Sequence, residues 1–451
     1  MRQELLDNPD TCVARVAALL LVVFATAAPA ATLTYPGAAP CNTTLQACVT
    51  GAASGDTIEI AQDALIAEFV DIDKSLTIQP AAGFAPQVQK VFTAVSDTSK
   101  TITVRDMAGG GGVRAVLGPG GGSLDLTVRG NTFANDSNPP IDVQTNFIPG
   151  IYGTVTINAL DNALTVNQGF SSCVSAIVVV VTGPTTLNGR IIGNRITVNN
   201  LSQCGGIDAV AGAAGGGQVL IERNDIRGVD FDYGIVFRHF GANVGDPTFL
   251  FVGTIVNNLV VGQNGNTGAP AGIVLSADGN NAKLQGVVVN NTVALGRLGM
   301  LVSARTDLGA TIEATIANNV VAFNSQRDIA MFDALPLVFN DHNLVTSIGD
   351  AFVHGPHTIV ANPLFANSGG GDFRLAPDSP AIGRGRDSAL DPAFTLDLAG
   401  APRRLGPIDI GAYESGFAAK PEPVPVDAPL ALALAGLLIA AFARRSPALR
   451  R

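Results

Sequence analysis

Ile255-Val256-Asn257-Asn258-Leu259-Val260-Val261 decides how this chain is read. Two apolar residues, an Asn pair and three more apolar residues make a strand, a sharp corner and a second strand. The phrase returns as Val288-Val289-Asn290-Asn291-Thr292-Val293 and as Ile316-Ala317-Asn318-Asn319-Val320-Val321. Looser copies sit at Gly130-Asn131, Asp161-Asn162, Gly193-Asn194, Arg223-Asn224 and His342-Asn343. The second residues of the corners, 131, 162, 194, 224, 258, 291, 319 and 343, are spaced by 31, 32, 30, 34, 33, 28 and 24. A period of this kind marks a solenoid, in which each repeat stacks on the last. Asn suits the corner because it tolerates the left-handed conformation and its amide can bond the backbone. Stacked coil on coil, such amides are expected to form a ladder. These asparagines read as structure and not as a site.

Bulk composition agrees. At 451 residues the chain is long for one compact core, which usually stops growing near ~250–300 residues. A solenoid grows along one axis and escapes that limit. Apolar residues make up 47% and charged residues 14%, with 51 Gly and no Trp, which suits short buried strands joined by tight corners. Disorder would need more charge and fewer β-branched residues. A net charge of −10 argues against nucleic acid and an anionic bilayer as partners.

Both ends read as export signals. Residues 16–28 (VAALLLVVFATAA) are a short apolar run followed by Ala28-Pro29-Ala30, an A-x-A-like cleavage site, so 1–30 is expected to be a signal peptide. Of five cysteines, Cys12 lies in this leader, leaving Cys41, Cys48, Cys173 and Cys204. An even count in an exported chain reads as two disulfides. Cys173 follows Asn162 by 11 residues and Cys204 follows Asn194 by 10, which puts them in nearly one column of adjacent coils. Strands stack about 4.8 Å apart, within disulfide reach. The expected pairs are therefore Cys173–Cys204 across coils and Cys41–Cys48 in an N-terminal cap.

Along the chain, residues 45–53 read as a short helix, 58–60 as a strand, and 71–79 as a strand pair around Lys74-Ser75. Further strands are expected at 91–94 and 101–105. The Gly-rich tract 109–122 (GGGGVRAVLGPGGG) lacks the G-K-[ST] ending of a phosphate loop and reads as a flexible turn. Gly206-Ile207, Gly234-Ile235, Gly272-Ile273 and Gly299-Met300 recur between corners as the start of another strand column. Longer loops are expected at 136–150, 240–249 and 263–272, where function would sit.

The period, the N-N-x-V corners and the alternation resemble the right-handed parallel β-helix of the pectate-lyase-like superfamily, over about residues 55–365. Asn362-Pro363-Leu364-Phe365, Asp372-Phe373-Arg374-Leu375, Ser379-Pro380-Ala381-Ile382 and Asp409-Ile410-Gly411-Ala412-Tyr413-Glu414 follow in order. With 51–60 and 74–78 they are similar to the bacterial surface proteins called choice-of-anchor Q. Lys420-Pro421-Glu422-Pro423, the apolar run 430–443 and the closing arginines resemble a PEP-CTERM sorting signal, inserted transiently in the membrane with its basic end cytoplasmic. The resemblance implies an exported all-β protein, a right-handed single-stranded parallel β-helix with N- and C-terminal caps. Its parts would be the β-helix with its N-terminal cap at 31–365, a C-terminal cap at 366–418, with 409–414 as a last strand, and a linker and sorting segment at 419–451. It would be a monomer at the cell surface or secreted, meeting export and sorting machinery.

Lyases on this fold need a base beside a uronate and a cation, often Ca²⁺, to neutralise the acid; hydrolases need two carboxylates across the scissile bond. The densest cluster is 222–239, with Glu222, Arg223, Asp225, Arg227, Asp230, Asp232 and Arg238, seven charges in eighteen residues, plus His239. Asp230-Phe231-Asp232-Tyr233 would set two carboxylates against two aromatics, with Asp278, Arg305 and Asp333 in register on later coils. Asp230, Asp232, Arg238 and His239 are the catalytic candidates; the competing reading is outward charges paired between coils. The N-T-D, D-D, G-H-G and R-I-K set of polygalacturonases is absent, and His342, His354 and His357 lack metal-ligand company in sequence. No cofactor is indicated; the 222–239 patch could bind sugar or Ca²⁺, though no ligand spacing supports the ion. A non-catalytic surface protein that binds polysaccharide is favoured over a polysaccharide lyase or glycosidase.

Overall fold

Buried and partly exposed positions alternate along many strands, as in Thr154–Leu160 and Ala163–Asn167, so these strands keep one face inward, while others such as Ala271–Ala277 are buried throughout. In this computed structural model the described residues are 29–419 apart from 136–137, 146–152, 168–174, 200–204, 213, 230, 242–248, 263–269, 333–336 and 348–353. Among the described residues the strands form three parallel sheets of 12, 9 and 11 strands, here sheets I, II and III in the order a coil visits them, and each coil from Leu124 to Phe332 gives one strand to each. Thr186–Ile192, Arg195–Asn199 and Gly205–Ala211 are one such set, paired in register with Gly216–Glu222, Asp225–Val229 and Tyr233–His239 of the next coil. One apolar core runs along the stack, from Tyr35 to Val345. The chain is an all-β parallel β-helix.

The Asn corners join sheet I to sheet II, and their two positions divide the labour. The first residue, whether Gly130, Asp161, Gly193, Arg223, Asn257, Asn290, Asn318 or His342, takes the left-handed conformation, with φ between +52° and +70°. The second is the buried asparagine. Its Nδ2 donates to the next asparagine's Oδ1 at 3.0 Å from Asn131 to Asn162, 2.9 Å from Asn162 to Asn194, and so on to Asn319 and Asn343 at 2.9 Å. The same Oδ1 accepts the preceding asparagine's backbone N–H, as from Asn224 to Asn258 at 2.9 Å. The remaining Nδ2 hydrogen bonds a carbonyl of the coil before, as from Asn224 to Ile191 at 2.9 Å. Each amide thus ties three successive coils.

The short helix expected at 45–53 is present. Helix Leu45–Gly51 is capped by Thr44 Oγ1, which accepts the Ala47 N–H at 3.0 Å, and it buries Leu45, Cys48 and Val49. Glu68 accepts the Leu45 and Gln46 N–H groups, both at 3.0 Å, while Lys74 Nζ donates to the Thr50 and Ala52 carbonyls at 3.0 and 3.1 Å. Each charge complements its end of the helix dipole. Cys41 and Cys48 form the expected disulfide, with Cα atoms 4.2 Å apart. Cys173 and Cys204 lie outside the described residues, as do the leader and the segment from 420. Among the described residues no helix is long and apolar enough to cross a membrane.

Four local expectations need correction. The tract 109–122 is not a flexible turn: Gly109–Gly110 pairs with Gln87 and Val88, and Val113–Leu117 is a full rung of sheet III. A Cβ on Gly110 would come within 1.8 Å of the Val88 carbonyl, so the glycine serves close approach. The 136–150 loop contains a strand, Ile141–Thr145. The strand before Lys74-Ser75 lies earlier than expected, at Leu65–Asp71.

The fourth concerns the C-terminal segment. It packs without a strand at 409–414, and its described contacts run along the flank of the stack. Asn257 Nδ2 donates to the Leu396 carbonyl at 2.9 Å, Asn290 to that of Asp409 at 2.9 Å, and Asn318 to that of Arg386 at 3.0 Å. These are the first members of the three Asn-Asn corners. Phe373 packs with Leu259 and Ala294, and Ile382 and Ile410 pack with Val320 and Leu344. Each doubled asparagine thus gives its coil a hydrogen bond to the C-terminal segment, which also reaches the coil before them through Arg227 and Gly371.

Candidate functional site

Strand alternation separates the predicted catalytic residues. In Tyr233–His239 the side chains of Ile235, Phe237 and His239 point inward while Arg238 points outward. His239 is 1% exposed, its Nδ1 accepts the Lys283 N–H at 3.1 Å, and burial holds its pKa below the ordinary imidazole value. Asp232 is also 1% exposed, beside the equally buried Phe231, so carboxylates and aromatics do not form two faces. Arg238 Nε pairs with Asp278 Oδ2 at 3.1 Å, and its guanidinium lies over the Phe240 ring at 5.5 Å. Asp230 and Asp333 lie outside the described residues. The other charges of the cluster also pair, Arg223 with Glu222 at 3.2 Å and Arg227 with Asp225 at 2.6 Å. Among the described residues, Arg238 and His239 therefore lie on opposite faces of one strand.

A better-formed site lies near the N-terminal end, on sheet III. Sheet II begins only at Thr132 among the described residues, so the earlier coils lack that wall and leave a step. The step is a shallow cleft of about 540 Å³ lined by Leu65, Phe69, Gln87, Gln89, Lys90, Gly109–Gly110, Thr132 and Ala134. Phe69 is 70% exposed and Leu65 55%, which is unusual for residues so close to a continuous core. Lys90 is half-buried, and its Nζ donates to the carbonyls of Gly111 and Pro139, both at 3.2 Å. Burial pushes its pKa down to about 8; nearby Asp142 opposes the shift and Arg114 adds to it.

The outward face continues this polar character. Register aligns Arg114, Asp142, Val178 and Asp208 in one column of successive rungs. Arg114 Nε meets Asp142 Oδ2 at 3.3 Å, and Gln144 Nε2 donates to Asp142 Oδ1 at 2.7 Å. Burial still raises the Asp142 pKa against these partners and Lys90. Asp208 is pushed up to about 6 by burial, which Ser175 and Arg238 offset only in part. Groups shifted in this way lie together on one face, a pattern shared by functional sites and structural ion-pair networks.

Sequence reading missed Lys90, Asp142 and Asp208, because their burial comes from neighbouring coils. It also placed His342 and His357 without ligand company. Both imidazoles in fact converge on Asp341, and one donor atom from each residue lies within 4.8 Å of the others.

No family model matches this chain, and no curated protein matches it. Among solved structures it is similar in fold to the crystal structure of pectate lyase Pel9A, with 13% identity and a TM-score of 0.41, over 85% of this chain and 96% of that one.

Proposed function

We propose that this is an exported β-helix protein of the cell surface or extracellular matrix, a monomer that holds polysaccharide without cleaving it. The leader and the Pro-Glu-Pro tail would direct its export and sorting. The observation that carries the reading is the composition of the N-terminal cleft. Phe69 offers a wide apolar face to sugar C–H groups, Gln87 and Gln89 offer amides to hydroxyls, and Lys90 offers an ammonium to a uronate. The Cys41–Cys48 bond supports an oxidising compartment. Against catalysis at the sequence-predicted site stands the burial of Asp232 and His239 and the pairing of Arg238.

Calorimetry with uronate and neutral oligosaccharides tests the reading. Wild type is expected to bind a uronate oligomer. Phe69→Ala should weaken it roughly tenfold, about 1.4 kcal/mol, and Lys90→Ala should abolish the preference for acidic over neutral chains. Lys90 carries its charge below about 8 and loses it above, so uronate affinity should fall as pH rises through that value. Equal affinity in all three proteins would remove the cleft from the account.

One observation favours a second reading. Asp142 and Asp208 stand two rungs apart, about 9.5 Å on ordinary strand spacing. That is the upper end of the ~6.5–9.5 Å between carboxyls in inverting glycosidases, and burial raises both pKa values. Release of reducing ends that disappears in Asp208→Asn would establish hydrolysis and overturn the non-catalytic proposal.

A further inference from the structure

We propose that Asp341, His342 and His357 bind a divalent transition-metal ion of the Zn²⁺ class, which pins the turn at 354–358 to the last asparagine corner. The inference does not depend on the glycan reading. It starts from the corner itself. His342 occupies the left-handed position, φ +56°, that other corners fill with Gly, Asp, Arg or Asn.

Asp341 is the anchor, 5% exposed. Its Oδ1 accepts two backbone N–H groups, those of His342 and His357, both at 2.8 Å. These bonds fix the carboxylate and aim Oδ2 at the two rings. His357 Nδ1 lies 2.7 Å from Oδ2 and His342 Nδ1 lies 3.3 Å from it. The imidazoles stack with centroids 4.5 Å apart and planes inclined by 24°. The returning chain can come this close because residue 355 is glycine: a Cβ there would sit 2.3 Å from the Asp341 carboxyl carbon. The Gly355 N–H bonds the Asn340 carbonyl at 2.8 Å, and the Ile359 N–H bonds that of Asn343 at 2.8 Å, so both strands are held in place.

The spacing suits a small tetrahedral ion. Ligands bound at ~2.0–2.1 Å to a tetrahedral centre lie about 3.3 Å from each other. The His342–Asp341 separation already has that value, and the His357 contact must open by roughly half an ångström, which an exposed side chain allows. Two imidazoles and one carboxylate select Zn²⁺ and its neighbours over Ca²⁺ and Mg²⁺, which take oxygen ligands. The His357 side chain is 63% exposed, so the ion can enter from solvent and the fourth position is left to water. The nearest cation, Arg386, is turned over the Phe339 ring at 5.2 Å and bonded to Ser388. A bound ion would join residues 16 positions apart and close the final coil.

The test uses the untagged full chain, stripped with EDTA and titrated with ZnCl₂ in a calorimeter, with CaCl₂ as control. One Zn²⁺ per chain is expected, with a rise in melting temperature and no response to Ca²⁺. Co²⁺ substitution should give the visible absorption of a tetrahedral nitrogen–oxygen site, without thiolate charge transfer. His357→Ala alters an exposed side chain and should fold as wild type while losing both the binding and the thermal shift. Absence of Zn²⁺ binding in wild type would overturn the assignment and leave a hydrogen-bonded cluster only. Binding that survives His357→Ala, as cysteine-held zinc would, overturns it equally.

Discussion

Replacing Asn258 with alanine is expected to destabilise the fold by about 4 kcal/mol, far beyond an ordinary polar substitution. The side chain donates from Nδ2 to Ile221 O at 2.9 Å, Val256 O at 3.0 Å and Asn291 Oδ1 at 3.0 Å. Its Oδ1 accepts both the backbone N–H and the Nδ2 of Asn224, each at 2.9 Å. Alanine leaves the Asn224 donors and the Ile221 acceptor without this partner, at a position that is 0% exposed. Each orphaned buried group costs about 1–3 kcal/mol, and a small cavity adds to the sum. Because each coil touches only its neighbours, the damage should also uncouple the stack locally. Asn199→Ala is the control. Its Nδ2 bonds Asn167 Oδ1 at 3.1 Å in the same stacked manner but on the exposed face, and its loss should stay within about 0.5 kcal/mol. Chemical denaturation of the two variants reads the difference directly.

Arg403→Met should release the C-terminal segment from the flank. Arg403 is fully buried; its guanidinium donates to Asn257 Oδ1 at 2.7 Å, to Glu414 Oε2 at 3.1 Å and to the Gly411 carbonyl. Removing one member of a buried ion pair strands the other, typically at about 3–5 kcal/mol. The loss should depend on pH. Burial pushes Glu414 up to about 7, Asp409 adds to this, and Arg403 offsets part of it. A carboxyl whose folded pKa is raised keeps a proton that the unfolded chain releases, so docking weakens as pH rises from the ordinary glutamate range to about 7. Without the guanidinium the effect grows, and the variant should lose more stability at pH 8 than at pH 5. Limited proteolysis within 362–419 at both pH values checks this. Equal loss at the two would mean that Glu414 does not carry the coupling.

The corners were legible because one residue type had to meet two demands at a fixed interval, and the register of the ladder follows from that interval. The Cys41–Cys48 pair was legible from its short spacing. The asparagine pairs held a second message that went unread. Corners at 193 and 223 carry Gly and Arg in the first position, whereas 257, 290 and 318 carry Asn, and those three side-chain amides each donate to a carbonyl of the C-terminal segment. Charge density at 222–239 carries no information on alternation: Arg238 and His239 are neighbours in sequence and face opposite sides of a strand. Lys90 and the Asp341–His357 pair were beyond reach for a different reason. Their environments are assembled from residues 21 to 49 and 16 positions away, and no local pattern encodes those contacts.

The central claim is that the buried asparagine column, and not any one sheet, holds the coils together. Residue-resolved native-state hydrogen exchange tests it most directly. The backbone N–H groups of Asn162, Asn194, Asn224, Asn258 and Asn291 each donate to the next asparagine's Oδ1 at 2.9–3.1 Å. They are predicted to exchange only through the largest opening that the molecule undergoes, as slowly as the most protected strand amides. Exchange of these five at the rate of the connecting turns, with the strands still protected, would contradict the account.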